Sequence, residues 1–402
     1  MEETIGFVLG IDVSDWHISE SRQGIEDEVK VIHYTFEFCG NPGQCPDCGM
    51  PRTVHDYVGK TWRNENLGDS VCYIHARVPR FQCHHCGKTS MAQIPWADPK
   101  VSYTRRFMES AIEHMAQMSI LATARMMNTT WSVLDGIVGR VVDRYLNEMD
   151  LSKVKSIRID ETSAKKRHRY ITVITDTETD DIIFISKGKD SKLLREFREW
   201  LLNHNGDPEK IELASMDFGD AFAKGVRENF PNAKMVRDPF HLIQIAERAL
   251  DRDRSSSQVN GERKKSIRFA LLKGGEKLTP EEKDIVMDFT KDHETVGLSY
   301  RMKESLRDAI SYSPEESQLA FFHLRSLASW FKKSGSKGFK ALGNTIENNI
   351  KAIVLAIESG VNNGFQEGLN GRIQLTKRLA RGYHRETRLA RMVFFRDANR
   401  SL

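Results

Sequence analysis

The hydrophobic rhythm of the chain changes several times along its length. In residues 72–81, CYIHARVPRF, apolar and polar positions alternate with the period of two expected of a half-buried strand. From Tyr103 the spacing lengthens to three and four. TRRFMESAIEHMAQM, SILATARMMN and TWSVLDGIVGRVVDRYL predict three helices, the middle one short. Ser119 and Thr130 stand where N-caps of the second and third belong, with Asn128-Thr129-Thr130 as the turn between them. After residue 151 strands and helices alternate. VKSIRIDET, HRYITVITDTET and DIIFISKG predict three strands, the last two joined as a hairpin, followed by helix SKLLREFREWLLNHN. Strand KIELASMDF, helix DAFAKGVRENF and short strand AKMVRD come next. Residues from about 250 to 357 read as helix throughout. Thr279-Pro280-Glu281-Glu282 and Ser313-Pro314-Glu315-Glu316 are capping boxes with proline at the first helical position. A last helix is expected to begin near Asn363. It gathers Phe365, Leu369, Ile373 and Ala380 on an apolar face, and Glu367, Asn370, Gln374, Lys377 and Arg378 on another.

Length and composition narrow the class. A chain of 402 residues is too long for one ordinary core, so several domains are expected. With 39% hydrophobic and 29% charged residues it reads as soluble, and no apolar run reaches the ~18 residues of a membrane span. The first residues carry acids where an export signal needs positive charge, so a cytoplasmic location and no membrane partner are expected. A net charge of +4 is compatible with nucleic acid, and the basic residues concentrated in the last forty positions say more.

All six cysteines lie in the first quarter, which points to metal rather than to a disulfide scaffold. Cys45-Pro-Asp-Cys48 and Cys83-His-His-Cys86, 34 residues apart, form two matched CxxC pairs, each followed by glycine. Two such knuckles supply the four soft ligands of a closed, structural Zn²⁺ site, a zinc-ribbon pattern. A redox pair is the alternative, and Cys39, Cys72, His84 and His85 are competing ligands that the matched pairs make bystanders. Residues 1–98 are therefore expected to form a zinc-ribbon domain. Residues 99–150 are expected to form a helix-turn-helix-like DNA-binding segment, for which a plain helical bundle is the bland reading.

Three strands followed by α-β-α-β-α is the order of an RNase H-like fold, expected over 151–250. In that fold carboxylates from the first strand, the end of the fourth and a later helix converge. Asp160 ends the first strand on the face opposite Ile157 and Ile159, and Asp217 ends the fourth. A carboxylate closing an apolar strand is costly unless it is paired or holds a metal, although either could be a plain turn residue. Glu161 and Asp220 are the nearest decoys. The all-helical stretch 251–357 is expected to be an insertion, with 358–402 returning the last core helix and a basic tail. Basic clusters in the insertion (Arg263, Lys264, Lys265, Arg268; Lys332, Lys333, Lys337, Lys340) suit phosphate contact or a solvated face, and Trp330 reads as core. The fold class expected is multidomain α+β. A zinc ribbon and helix-turn-helix precede an RNase H-like catalytic core that an all-α insertion interrupts.

These parts and motifs resemble the DDE transposases of bacterial insertion sequences, specifically the ISL-three family. CPDC with CHHC, IDET, SMDFGDAF, RDPFH and NNGFQEGLNGRIQLTKRLARGY carry the resemblance, which spans about residues 40–395. It implies Asp160, Asp217 and Glu367 as a catalytic triad holding two Mg²⁺ (or Mn²⁺) ions for strand cleavage and strand transfer. It implies Arg105, Arg106, Arg372, Lys377, Arg378 and Arg381 as DNA contacts. Asp238 and His241, in a D-x-F-H motif, would support the active-site edge. The partners implied are double-stranded DNA, as terminal inverted repeats and as target, and a second copy of the chain, since two ends must be joined. Bound to DNA, the protein would lie with the nucleoid. A nuclease or resolvase on the same fold, or a zinc-ribbon regulator with inert carboxylates, are the alternatives.

Overall fold

Each rhythm in the sequence becomes a layer of structure. In the computed structural model the described residues are 6, 9–11, 14–165, 169–188, 191–257, 263–360, 364–383 and 385–399. The side chains of 164, 165, 169, 263–265 and 364–367 are excluded from that description. The chain divides into two compact units, one of residues 1–147 with 379–381 and 394–402, the other of 148–378 with 382–393.

The first unit is built on a sheet of order β1-β2-β4-β3 with β5 added to β4. Its strands are β1 (Trp16–Glu26), β2 (Val29–Phe38), β3 (Arg52–Leu67), β4 (Ser70–Cys83) and β5 (Thr89–Met91). The alternation in β4 buries Cys72, Ile74, Ala76 and Val78 on one face. That face closes over an aromatic core in which Trp96 lies 5.0–5.5 Å from Trp16, Phe36 and Trp62. Residues before 40, which carried no sequence motif, thus extend the ribbon sheet by two strands. Three helices follow: α1 (Arg105–Gln117), α2 (Ile120–Met126) and α3 (Trp131–Glu148). Ser119 Oγ accepts from Ala122 N at 3.2 Å and Thr130 Oγ1 from Val133 N at 3.3 Å, the two caps expected. Arg63 of β3 ties helices to sheet. Its backbone pairs with Ser102 and Thr104, and its buried guanidinium donates to Cys72 O at 3.2 Å and to Met127 O at 2.8 Å.

The second unit centres on a sheet of order β10-β9-β6-β7-β8. β6 (Ser156–Lys165), β7 (Arg169–Asp176) and β8 (Ile182–Lys187) form an antiparallel meander. β9 (Leu213–Met216) and β10 (Lys234–Arg237) add to it in parallel. On one face Ile157 and Ile159 pack with α4 (Lys192–Asn203) and α5 (Asp220–Asn229) through Leu194, Phe197, Phe222 and Val226. A period of two then sends Asp160 and Thr162 to the other face.

Beyond β10, the described residues up to 358 carry helices and short 3₁₀ turns and no strand. They are α6 (Pro239–Ser256), α7 (Arg263–Leu272), α8 (Pro280–Asp292), α9 (Glu294–Ile310), α10 (Ser317–Lys333) and α11 (Lys337–Glu358). Leu250, Met302, Leu324, Phe331, Phe339 and Ile346 share their core, against which Trp330 packs partly buried. Both capping boxes form as expected, each stabilising its helix start by about 1 kcal/mol. Fully buried Lys303 is satisfied by Leu271 O and the Glu304 carboxylate, both at 2.7 Å, so its charge is paired rather than idle. α12 (Gly364–Leu379) and α13 (Glu386–Ala398) complete the chain. No helix among the described residues is long and apolar enough to cross a membrane.

Candidate functional site

The four paired cysteines meet at the end of the β3–β4 ribbon. In each knuckle the glycine N–H donates back to the first cysteine carbonyl at 2.8 Å, Gly49 to Cys45 and Gly87 to Cys83. Both glycines adopt φ +72°, where a side chain would be strained. All four sulfurs lie within 4.8 Å of one another, with Cys45–Cys86 at 3.7 Å and Cys48–Cys83 at 3.5 Å. A tetrahedron with Zn–S bonds of ~2.3 Å has edges of about 3.8 Å, so the thiols fit a closed zinc shell. The backbone N–H of Cys86 pulls the Cys83 thiol down to about 6, and that of Asp47 lowers Cys45. Cys39, Cys72, His84 and His85 take no part in the cluster. Cys72 is buried in the sheet core, which pushes its thiol up to about 11, and His84 Nε2 pairs with Thr53 Oγ1 at 2.9 Å.

In the second unit, the parallel register of β6 with β9 runs from Ser156↔Leu213 to Ile159↔Met216. Asp160 and Asp217 come immediately after that last pair. Asp217 follows the end of β9, but Asp160 does not end its strand as expected: it is the fifth of ten residues in β6, because β7 goes on pairing with β6 beyond it, through Asp160↔Val173 to Lys165↔Arg169. Asp160 is only 8% exposed, and its Oδ2 accepts from Asn370 Nδ2 of α12 at 2.9 Å. The next contacts along the same helix edge are Gln374 Nε2 to Thr162 Oγ1 at 3.4 Å and Lys377 Nζ to Ser163 O at 2.6 Å. Leu369 and Ile373 supply the buried apolar face of α12. Glu367 lies on α12 one turn before Asn370, and its side chain is outside the described residues, as is that of Phe365. Glu161 leaves β6 on the isoleucine face, and Asp220 is exposed in the first turn of α5.

The loop bearing Asp217 is shaped by two neighbours. Asp217 Oδ1 accepts from Gly219 N at 2.8 Å, and Arg237 Nη1, from the end of β10, donates to the carbonyls of Asp217 and Gly219. Arg237 is buried against the Phe218 ring; burial lowers its pKa, while the negative charges of Asp217 and Asp220 favour its charged form. Asp238 caps α6 by accepting from Phe240 N at 2.8 Å, with His241 Nε2 at 3.6 Å from its other oxygen. Sequence reasoning stopped at Asp238 and His241 and missed Arg237, although it stands in the same RDPFH stretch. A pair of hard-oxygen donors just beyond the point where β6 and β9 stop pairing, one with little water to solvate it, suits a divalent cation such as Mg²⁺.

Comparison with known proteins bears on this arrangement. A family model described as a transposase, that of the ISL3 group, matches residues 157–393, more than half of the chain. The chain belongs to the ISL3 family of transposases. Models for the zinc finger of the IS204/IS1001/IS1096/IS1165 transposases and for the helix-turn-helix domain of the ISL3 family match residues 41–86 and 92–145. The transposase for insertion sequence element IS1557 of Mycobacterium tuberculosis is 27% identical across 94% of this chain and 91% of its own length. That for IS1001 of Bordetella parapertussis is 24% identical across 84% and 85%. This ISL3-family chain is therefore a transposase with a zinc ribbon, a DNA-binding helix-turn-helix and a catalytic transposase domain.

The basic residues expected at DNA divide into two sets in this transposase. Arg378 and Arg381 are exposed. Others are already engaged: Arg105 with Asp98 at 2.9 Å, Arg106 with Glu65 at 2.6 Å, and Lys377 with Ser163 O and Gln374. Burial also holds the Lys377 ammonium below the ordinary lysine value. Arg372 is partly buried on α12. In the helical stretch Arg268 pairs with Asp251 and Lys332 with Glu347, whereas Lys333, Lys337 and Lys340 are exposed. The side chains of Arg263, Lys264 and Lys265 are outside the described residues.

Proposed function

We propose that the chain is the transposase of an insertion sequence, binding double-stranded DNA at terminal inverted repeats and performing strand cleavage and strand transfer with Asp160, Asp217 and Glu367. The observation that supports the reading is the parallel register of β6 with β9, which ends at the residues just before Asp160 and Asp217, with the helix that carries Glu367 hydrogen-bonded to Asp160 through Asn370. The sheet order, a three-stranded meander extended by two parallel strands, supports an RNase H-like core formed by 151–250 and 358–402. Residues 251–357 would be its all-helical insertion, 1–98 the ribbon domain and 99–150 the helix-turn-helix segment.

Asp160 and Asp217 would offer carboxylate oxygens where the scissile phosphate would sit, and the reading requires Glu367, carried on α12, as the third ligand. Arg237 and Gly219 hold the Asp217 loop so that its carboxylate does not need to reorganise. Two Mg²⁺ or Mn²⁺ ions bound there supply activation of the attacking oxygen and charge stabilisation of the leaving one. Water attack at the element end breaks the P–O3′ bond and frees a 3′-hydroxyl. That hydroxyl then attacks a target phosphodiester and expels the target's own 3′-oxygen. The four-cysteine cluster would hold a structural Zn²⁺. Arg378 and Arg381 are the basic-tail residues best placed for phosphates, and a homodimer on DNA follows from the need to join two ends.

The test is incubation of the protein with end-containing DNA, a target plasmid and Mg²⁺ or Mn²⁺. Asp217→Asn and Glu367→Gln should each lower cleavage by about a hundredfold or more while leaving end binding intact. Equal products from wild type and both variants would sink the triad. Ends that are cut and never joined would move the reading to a nuclease or resolvase.

A further inference from the structure

Three contacts between α12 and β6 form a ladder: Asn370–Asp160, Gln374–Thr162 and Lys377–Ser163. Both sets of numbers rise together, so helix and strand run in the same direction. Four helical residues advance about 6 Å. Two strand residues advance about 6.6 Å. The two spacings match for the first step; in the second, three helical residues stand against one strand residue, and the contact is from the lysine side chain to a backbone carbonyl. The ladder ties to its strand a helix that lies 210 positions away at the first contact.

We propose that Asn370 is a positioning residue for the Asp160 carboxylate, and that the ladder it heads fixes the register on β6 of the helix whose preceding turn carries Glu367. This rests on the triad reading above. The residue type is what the task requires. With Asp160 8% exposed, few water molecules orient its carboxylate, so a protein donor has to. An amide holds Oδ2 in a fixed orientation without adding charge. A lysine or arginine there would neutralise the carboxylate and compete with the cation it is meant to hold. Lys377, the one charged member, sits two rungs away on a backbone carbonyl.

The experiment measures Mn²⁺ binding to the full chain by electron paramagnetic resonance of free Mn²⁺, alongside cleavage of end-containing DNA and thermal unfolding. Asn370→Ala should bind Mn²⁺ about tenfold more weakly, since loss of a partner to a metal ligand costs roughly ten- to a hundredfold in affinity. Its cleavage should recover at saturating Mn²⁺, and its affinity for DNA ends should not change. Asn370→Ser, which stays polar but stops short of Asp160, is the second variant and carries the same expectation should Asn370→Ala not fold. Asp160→Asn separates the two claims. If it binds Mn²⁺ like wild type, the triad reading fails and this proposal with it. If it loses binding while the folded Asn370 variants keep wild-type affinity, Asn370 is not a positioning residue and the triad stands.

Discussion

Gly219 follows Asp217 by two positions, and a Cβ placed on it would lie 2.9 Å from Asp217 Oδ1. Its φ of −71° suits any residue, so the need for glycine comes from the carboxylate and not from the backbone. Gly219→Ala is therefore expected to leave the melting temperature within a few degrees of wild type. It should slow cleavage of end-containing DNA by about tenfold or more, because small displacements of a reacting group are costly in rate. A variant that cleaves at the wild-type rate would mean that the Asp217 loop tolerates displacement. Asp160 and Asp217 were singled out in the sequence as carboxylates in largely apolar strands, where an unpaired charge is expensive, although Asp160 lies within β6 and does not close it. Arg237 was not, because its hydrogen bonds are to carbonyls of a loop 18 to 20 residues earlier, which no local pattern encodes.

Among elements, β3 holds the helix-turn-helix through Glu65 to Arg106, Asn64 to Thr104 and, most deeply buried at the turn before the third helix, Arg63. The Arg63 guanidinium is 9% exposed, donates to Cys72 O and Met127 O, and lies over the Phe107 ring at 5.2 Å. Met127 closes α2 at the turn leading to α3, so Arg63 fixes where the third helix begins. Arg63→Met keeps the length of the side chain but leaves those carbonyls without donors, at a cost of about 2–4 kcal/mol. Denaturant unfolding should show that loss, and affinity for DNA ends should fall with it; an unchanged unfolding midpoint would remove Arg63 from this role. Helix starts were readable in the sequence from Ser119, Thr130, Thr279 and Ser313, since caps act within three residues. The join between sheet and helices was not readable. One compact unit holds both ribbon and helix-turn-helix.

For the whole molecule, the two units have cores of their own, and the four-cysteine cluster stands at one end of a sheet that is independently packed around Trp16, Trp62 and Trp96. Removing the metal, by chelation or by Cys45→Ser with Cys83→Ser, is expected to open residues 41–51 and 84–91 to hydrogen exchange and weaken binding to DNA ends. Most of the sheet signal in circular dichroism should survive; its complete loss would show that the ribbon depends on metal throughout. Zinc affinity should also fall more steeply with acid below about pH 6. There Cys83, whose thiol is held at about 6 by the Cys86 N–H, must release a proton before it can bind. Titration of Zn²⁺ binding between pH 5 and 8 by a competing chelator, with roughly these limits set by the ordinary thiol value of ~8.5, checks the slope.

The order of strands and helices, their caps, the CxxC knuckles and the presence of acids in apolar strands are local properties, governed by side-chain period, backbone preference and the solvation of charge. They could be read along the chain without knowing what touches what. The choice of neighbours belongs to the folded molecule. Packing sets Ile159 beside Met216, seats Asn370 on Asp160, turns Lys377 inward to Ser163 and gives Arg237 the carbonyls of the Asp217 loop. These pairings join positions up to 214 apart, and their free energy comes from surfaces buried together, which a one-dimensional pattern does not contain.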